Sequence, residues 1–122
     1  MAGRWVVREI KFRAWNKIYE IMIPNGGWEG IYDFKDDVFI WQQFTGLKDK
    51  NGKEIYEGDI LEWQTEDGEK VSGPSVVEYW EGDACFTETP ILNGFSSSHT
   101  AWYKIIGNIH ENPEVLPSAK LK

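Results

Sequence analysis

From Arg8 to Trp15 the chain alternates, with Ile10, Phe12 and Ala14 on one side and Glu9, Lys11, Arg13 and Trp15 on the other. A repeat of two is the period of a half-buried β-strand. Asn16-Lys17 reads as a turn, and the apolar run Ile18 to Ile23 that follows stops at Pro24-Asn25-Gly26-Gly27, so a hairpin is predicted. Trp28 to Phe34 is apolar but broken by Gly30 and Asp33, a weaker strand pattern. Val38 to Phe44, rich in β-branched and aromatic residues between Asp36-Asp37 and Gly46, predicts a buried strand.

Turn signals then recur at short intervals. Lys48 to Lys53 is polar and centred on Asn51-Gly52, a pair that tolerates the positive φ of tight turns, and is predicted to be a surface turn. Gly58 marks a bend at the entrance to a strand carrying Leu61 and Trp63 on one face. Asp67-Gly68 is another turn; Val71 opens a short run that Gly73-Pro74 is predicted to stop, and Val76 to Trp80 alternates again before Glu81-Gly82-Asp83. Ile91 to Ser98 reads as loop or a helical turn. Trp102 to His110 is a closing strand interrupted at Gly107-Asn108, and Asn112-Pro113 ends pairing because proline lacks the donor. Glu114 to Lys122 reads as a tail. Strands separated by turns about every 8 to 12 residues predict a small barrel or sandwich, not a helical or doubly wound fold.

The 122 residues fit one compact domain. We divide it into an N-terminal β extension over 1–37, a barrel-like core over 38–116 and a tail over 117–122, with the extension folded against the barrel. At 41% hydrophobic and 15% aromatic, the chain has the large side chains a core needs, which argues against disorder. Trp5, Trp15, Trp28, Trp41, Trp63, Trp80 and Trp102 run the whole length, so every segment brings a ring to one shared core.

Cys85 is the only cysteine, so there is no internal disulfide and no paired-cysteine metal knuckle. A reducing compartment fits. With no apolar run of signal or membrane-spanning length, a cytoplasmic protein is expected.

The net charge of −7 is unevenly placed. Residues 1–17 carry Arg4, Arg8, Lys11, Arg13 and Lys17 against Glu9 alone, a balance of +4. Residues 61–122 carry four lysines against ten acids, a balance of −6. Such complementarity implies a basic strand against an acidic barrel in one molecule, or head-to-tail attraction between copies, which salt would weaken.

Candidate chemistry is sparse. Glu57 and Asp59 flank Gly58, but a hard cation wants six or so oxygens, so solvated or turn-bonded carboxylates are expected. Asp36-Asp37 and Glu81-Gly82-Asp83 are further acids that a two-metal hydrolase or nuclease would have to converge with Asp59. His99 and His110 lack zinc spacing, and Ser96, Ser97 and Ser98 beside His99 lack a nucleophile elbow. Cys85 has no electropositive neighbour in sequence to activate it. Arg4, Arg8, Lys11, Arg13 and Lys17 interleaved with Trp5, Phe12 and Trp15 form the pattern of a nucleic-acid strip, opposed by the overall acidity.

Three blocks resemble the YopX-like proteins of bacteriophages and prophages: Ile10 to Trp15, the long run from Gln43 to Ile60 (QFTGLKDKNGKEIYEGDI), and Ile106 to Glu114. The central block is the specific one. The resemblance implies a mainly β fold, a small SH3-like barrel with the N-terminal β extension packed against it, and a phage or prophage source. It brings no catalytic residue, metal or cofactor. The expected function is a non-enzymatic module that binds a protein partner or a copy of itself; nucleic-acid binding by the N-terminal strand and metal-dependent hydrolysis are the alternatives. Pro24 to Asp37 and Thr87 to Ala101 match no family block.

Overall fold

The computed structural model of the protein describes residues 9–27, 37–82, 85–89, 93–94 and 102–116. The strands are β1 (Phe12–Asn16), β2 (Ile21–Ile23), β3 (Phe39–Lys48), β4 (Glu54–Tyr56), β5 (Asp59–Gln64), β6 (Lys70–Trp80), β7 (Cys85–Thr89), β8 (Asn93–Gly94) and β9 (Tyr103–Asn108), followed by a 3-10 turn at Pro113–Val115. They form a four-stranded sheet in the order β2-β1-β3-β4 and a five-stranded sheet in the order β8-β7-β6-β5-β9. Every pairing is antiparallel. The fold is mainly β, as the alternation predicted, and no described helix is long and apolar enough to cross a membrane.

Backbone hydrogen bonds join the sheets around residues 57–58. Glu57 N–H donates to Gln43 O (2.9 Å), Gly58 N–H to Val77 O (2.8 Å), and Ile109 N–H to Gly58 O (2.9 Å). Three apolar clusters fill the interior: Ile55, Leu61, Val77, Tyr103 and Ile105; Ala14, Ile23 and Phe39; and Ile60, Val76 and Leu116. Ile60 and Leu61 are adjacent yet both fully buried. Successive side chains of β5 alternate between its two faces, and each face meets its own cluster, Leu61 with Ile55, Val77, Tyr103 and Ile105, and Ile60 with Val76 and Leu116.

Several elements differ from the sequence reading. The apolar face assigned to the first strand turns partly outward: Ile10 is 64% and Phe12 39% exposed. Trp15, assigned to the polar face, is buried, because the Lys11, Arg13 and Trp15 side meets Glu54, Asp59 and His110. The hairpin forms, but Ile18 and Tyr19 sit in its turn, not in β2. β3 runs on through Gly46 to Lys48. β6 is continuous across Gly73-Pro74, where a break was predicted. A register shift against β5 absorbs the irregularity, and among the described residues β7 pairs from Val76 onward, clear of Pro74. β9 runs through Gly107 to Asn108. The residue assigned to the tail at Leu116 is buried against Ile60 and Val76. Trp28 to Phe34 lies outside the described residues, as does Ile91 to Ser98 apart from β8.

Candidate functional site

The central block owes its composition to backbone geometry. Gly46, Gly52 and Gly58 all have φ near +80° to +90° (89°, 82° and 82°), a region that side chains with a Cβ disfavour. Gly58 is also pressed against a neighbour: a Cβ there would stand 2.0 Å from Gln42 Nε2. Asp49, expected on the surface, is buried, and its carboxylate caps two distant backbones. Its Oδ1 accepts from Asn51 N–H and Lys53 N–H (2.9 Å each), which closes the Asn-Gly turn, and its Oδ2 accepts from Ile105 N–H at 3.1 Å. Lys50 N–H adds a bond to Tyr103 O at 2.8 Å, so this turn is docked on β9 and is not a free loop.

Asp59 is the turn-bonded acid of the two expected alternatives, not the solvated one. It is 2% exposed, and its Oδ1 accepts from Arg13 Nη2 at 2.7 Å while Oδ2 accepts from Tyr56 N–H at 2.8 Å. Arg13 Nε donates to Gln42 Oε1 at 2.8 Å, and its guanidinium lies 4.7 Å from the centre of the Tyr56 ring. One carboxylate, one guanidinium, one amide and one ring therefore join β1, β3, β4 and β5. Burial pushes the Asp59 carboxyl above its ordinary value, with the Arg13 charge and the Tyr56 N–H pulling against it. Burial likewise raises the Tyr56 phenol. Glu57 Oε1 accepts from Gln43 N–H at 2.8 Å, a cross-strand bond.

Lys11, just before β1, repeats the pattern two residues from Arg13. It pairs with Glu54 and with Glu9 (2.9 Å), and its ammonium sits 5.4 Å from the Phe44 ring centre. Those carboxylates, Glu54 first, raise its pKa. Among the described residues, Lys11 and Arg13 of the basic segment thus pair with Glu54 and Asp59, within the central block, and with no acid beyond residue 61. Two of the five cations in the proposed nucleic-acid strip face inward. Lys17 stays exposed, and Arg4 and Arg8 lie outside the described residues.

After β9 the chain is held by Asn108, whose Oδ1 accepts from His110 N–H (3.0 Å) and Glu111 N–H (2.9 Å). Gly107 is obligatory for a different reason: a Cβ would stand 2.7 Å from Asn112 Oδ1 and 2.8 Å from Asn112 Cβ. This turn lays the His110 ring on Trp15, with centroids 5.3 Å apart and planes 11° from parallel. His110 Nε2 is buried with no hydrogen-bond partner among the described residues. Burial, then the nearby Arg13 charge, holds the imidazole below its ordinary pKa, with Glu111 acting in the opposite sense.

Two concavities flank His110. The first, of about 350 Å³, lies between the sheets and is lined by Ile40, Trp41, Gly58, Val77 and Tyr79 among others. Ile40, Trp41 and Tyr79 are 37%, 38% and 46% exposed, so large apolar side chains rim it in reach of solvent. The second, of about 500 Å³, is formed by Trp15, Glu20, His110, Glu111, Pro113 and Glu114.

Among the described residues, the other sequence candidates form no cluster. Asp37, Glu81 and Gly82 are exposed, Cys85 is a half-buried free thiol, and Asp36, Asp83, Ser96, Ser97, Ser98 and His99 lie outside the described residues. No three His, Cys, Asp or Glu side chains among the described residues are grouped to hold a metal. The sequence reading missed Gln42, Asp49 and Arg13 as network members. Gln42 carried one signal: with Gln43 it interrupts the apolar run from Val38 to Phe44, and it is 3% exposed.

The profile of the family described as YopX protein matches residues 28–117. Among solved structures, the crystal structure of protein EF1440 from Enterococcus faecalis is similar, with a TM-score of 0.70 and 27% identity over 91% of this chain and 100% of that one. No curated protein matches.

Proposed function

As this chain belongs to the YopX protein family, we propose that it is a non-enzymatic protein-interaction module that grips a segment of one partner in the cleft between its two sheets. The observation that carries the reading is the rim of that cleft, where Ile40, Trp41 and Tyr79 keep 37%, 38% and 46% of their surface exposed around a concave floor. Aromatic side chains around a concavity are the usual anchors of protein interfaces. The floor is rigid, because Gly58 is tied by backbone bonds to both Val77 and Ile109, and a preformed site loses less freedom on binding.

Three finer readings belong to the proposal. The register shifts between β5 and β6 support an SH3-like curvature of the five-stranded sheet, since bulges bend strands. The resemblance of the three sequence blocks supports a phage or prophage source, and the single cysteine supports a cytoplasmic setting.

The test is capture from a nuclease-treated bacterial lysate with the wild-type protein, Ile40→Asp and Tyr79→Ala side by side. One reproducible protein retained by the wild type and lost by both variants is the expected result. A partner held equally by all three would move the site elsewhere, and an empty wild-type capture would overturn the module reading.

A further inference from the structure

We propose that the β1–β2 hairpin is a twofold self-association surface, in which Lys17, Ile18 and Tyr19 at the tip of one copy seat in the acidic concavity beside the hairpin of a second copy. This surface adjoins the intersheet cleft, with His110 lining both, but Lys17, Tyr19 and Glu114 do not line the cleft.

The tip is unusual for a four-residue turn. Ile18 is 66% and Tyr19 75% exposed, and Ile21 at the start of β2 is 52% exposed. The turn is nevertheless well fixed: Asn16 Oδ1 accepts from Ile18 N–H (2.9 Å) and Tyr19 N–H (3.0 Å), and Glu20 N–H donates to Asn16 O at 2.8 Å. Large apolar side chains held outward on an ordered turn form an exposed patch that water solvates poorly. Lys17 adds one cation, which makes no ion pair among the described residues.

The concavity beside the tip has the opposite character. Glu20, Glu111 and Glu114 rim it, while Trp15 and Pro113 supply apolar walls. A side chain with an aromatic body and a neighbouring ammonium fits both features. Placement argues for a second copy of this chain as the occupant. The tip and the concavity share the β1–β2 hairpin, since Trp15 and Glu20 line the concavity and flank Lys17 to Tyr19 in sequence. Two patches side by side on one surface are what an isologous contact requires, because each copy must offer tip and receptor together about one axis. In that arrangement Lys17 of one copy meets Glu114 of the other, twice.

A contact confined to one hairpin tip and one concavity per copy engages fewer residues than the roughly 20–30 a side of a standard interface, so dimerisation in the micromolar range is expected. Sedimentation velocity up to about 200 µM, in low and high salt, reads it. The wild type is expected to dimerise with concentration and to weaken in salt. Tyr19→Asp, K17E and E114K are each expected to weaken the dimer at least about tenfold, all at positions exposed enough to leave the fold intact, as the melting curve of each checks. The decisive arm mixes K17E with E114K. Each variant alone repels itself, but a heterodimer pairs Glu with Lys at one contact and restores Lys with Glu at the other, so the mixture must regain wild-type association. A monomer at every concentration, a dimer indifferent to Tyr19→Asp, or a mixture no tighter than its components would each overturn the proposal. None of these outcomes touches the cleft, whose own test stands apart.

Discussion

Replacing Arg13 by methionine isolates what the buried ion pair contributes. Methionine keeps an unbranched apolar stem against Tyr56 but removes the guanidinium that Asp59 Oδ1 and Gln42 Oε1 both accept from. Asp59, at 2% exposure, then keeps only the Tyr56 N–H as a hydrogen-bond donor among the described residues. Removing one member of a buried pair costs about 3–5 kcal/mol, because the remaining charge is left desolvated. For a domain of this size that is a fall in Tm of roughly 10–20 °C. The loss must depend on pH. Burial already raises the Asp59 carboxyl above its ordinary 3.8, and deleting Arg13 removes the first of the effects opposing that rise. A carboxyl whose folded pKa lies above its unfolded value binds its proton more tightly in the native state. Its contribution to stability is therefore complete below the unfolded pKa and is lost as pH climbs through the folded one. The variant's deficit should thus be small near pH 4, grow through the mildly acidic range and level off near neutrality, as urea unfolding at a series of pH values would record. Adding Asp59→Asn removes the stranded charge while keeping an acceptor for the Tyr56 N–H, so the double variant should exceed Arg13→Met in stability at pH 7. A deficit that does not vary with pH, or a double variant no better than the single, would refute the reasoning.

Gly58→Ala should cost about 2–4 kcal/mol in chemical denaturation, since φ is +82° and the new methyl would displace Gln42 from beside Arg13. Asp49→Ala should cost a similar amount, about 2–4 kcal/mol, by orphaning three backbone N–H groups, and should speed hydrogen exchange selectively at Ile105. The His110 imidazole should titrate below its ordinary 6.5 by NMR. Because a lowered folded pKa gives stability that is present above the unfolded value and lost as pH falls toward the folded one, His110→Gln should flatten the acid-side decline just below pH 6.5.

Turn chemistry was legible in the sequence because it is local. Asn51-Gly52 and Gly58 announce positive φ through residues that few others can replace, and both turns are where the sequence put them. The strand alternation was legible too, but which side it buried was not. Ile10 and Phe12 are more apolar than Lys11 and Arg13, yet the latter face inward because Glu54 and Asp59, some 43 and 46 positions away, wait there. Pairing at that separation has no period to read. Gly73-Pro74 looked like a stop because proline removes a donor, a rule that loses force where no described residue of β7 pairs with that part of the strand. The cleft was invisible for a related reason. Ile40, Trp41 and Tyr79 each read as ordinary strand residues, and only the placement of one sheet against the other gathers them.

The backbone of Gly58 donates to Val77 and accepts from Ile109, while Asp49 reaches Ile105 across 56 positions. During synthesis this has a temporal meaning. The run from Gln43 to Ile60 leaves the ribosome early, but it cannot acquire its final bonds until residues 105–109 have followed it out. Until then Leu61 and Ile55 lack the β9 side of their core, and the emerging chain presents apolar strands without their closing neighbour. At elongation rates of about 5–20 residues per second, that interval lasts several seconds. A cell making this protein quickly therefore has reason to keep a chaperone at hand.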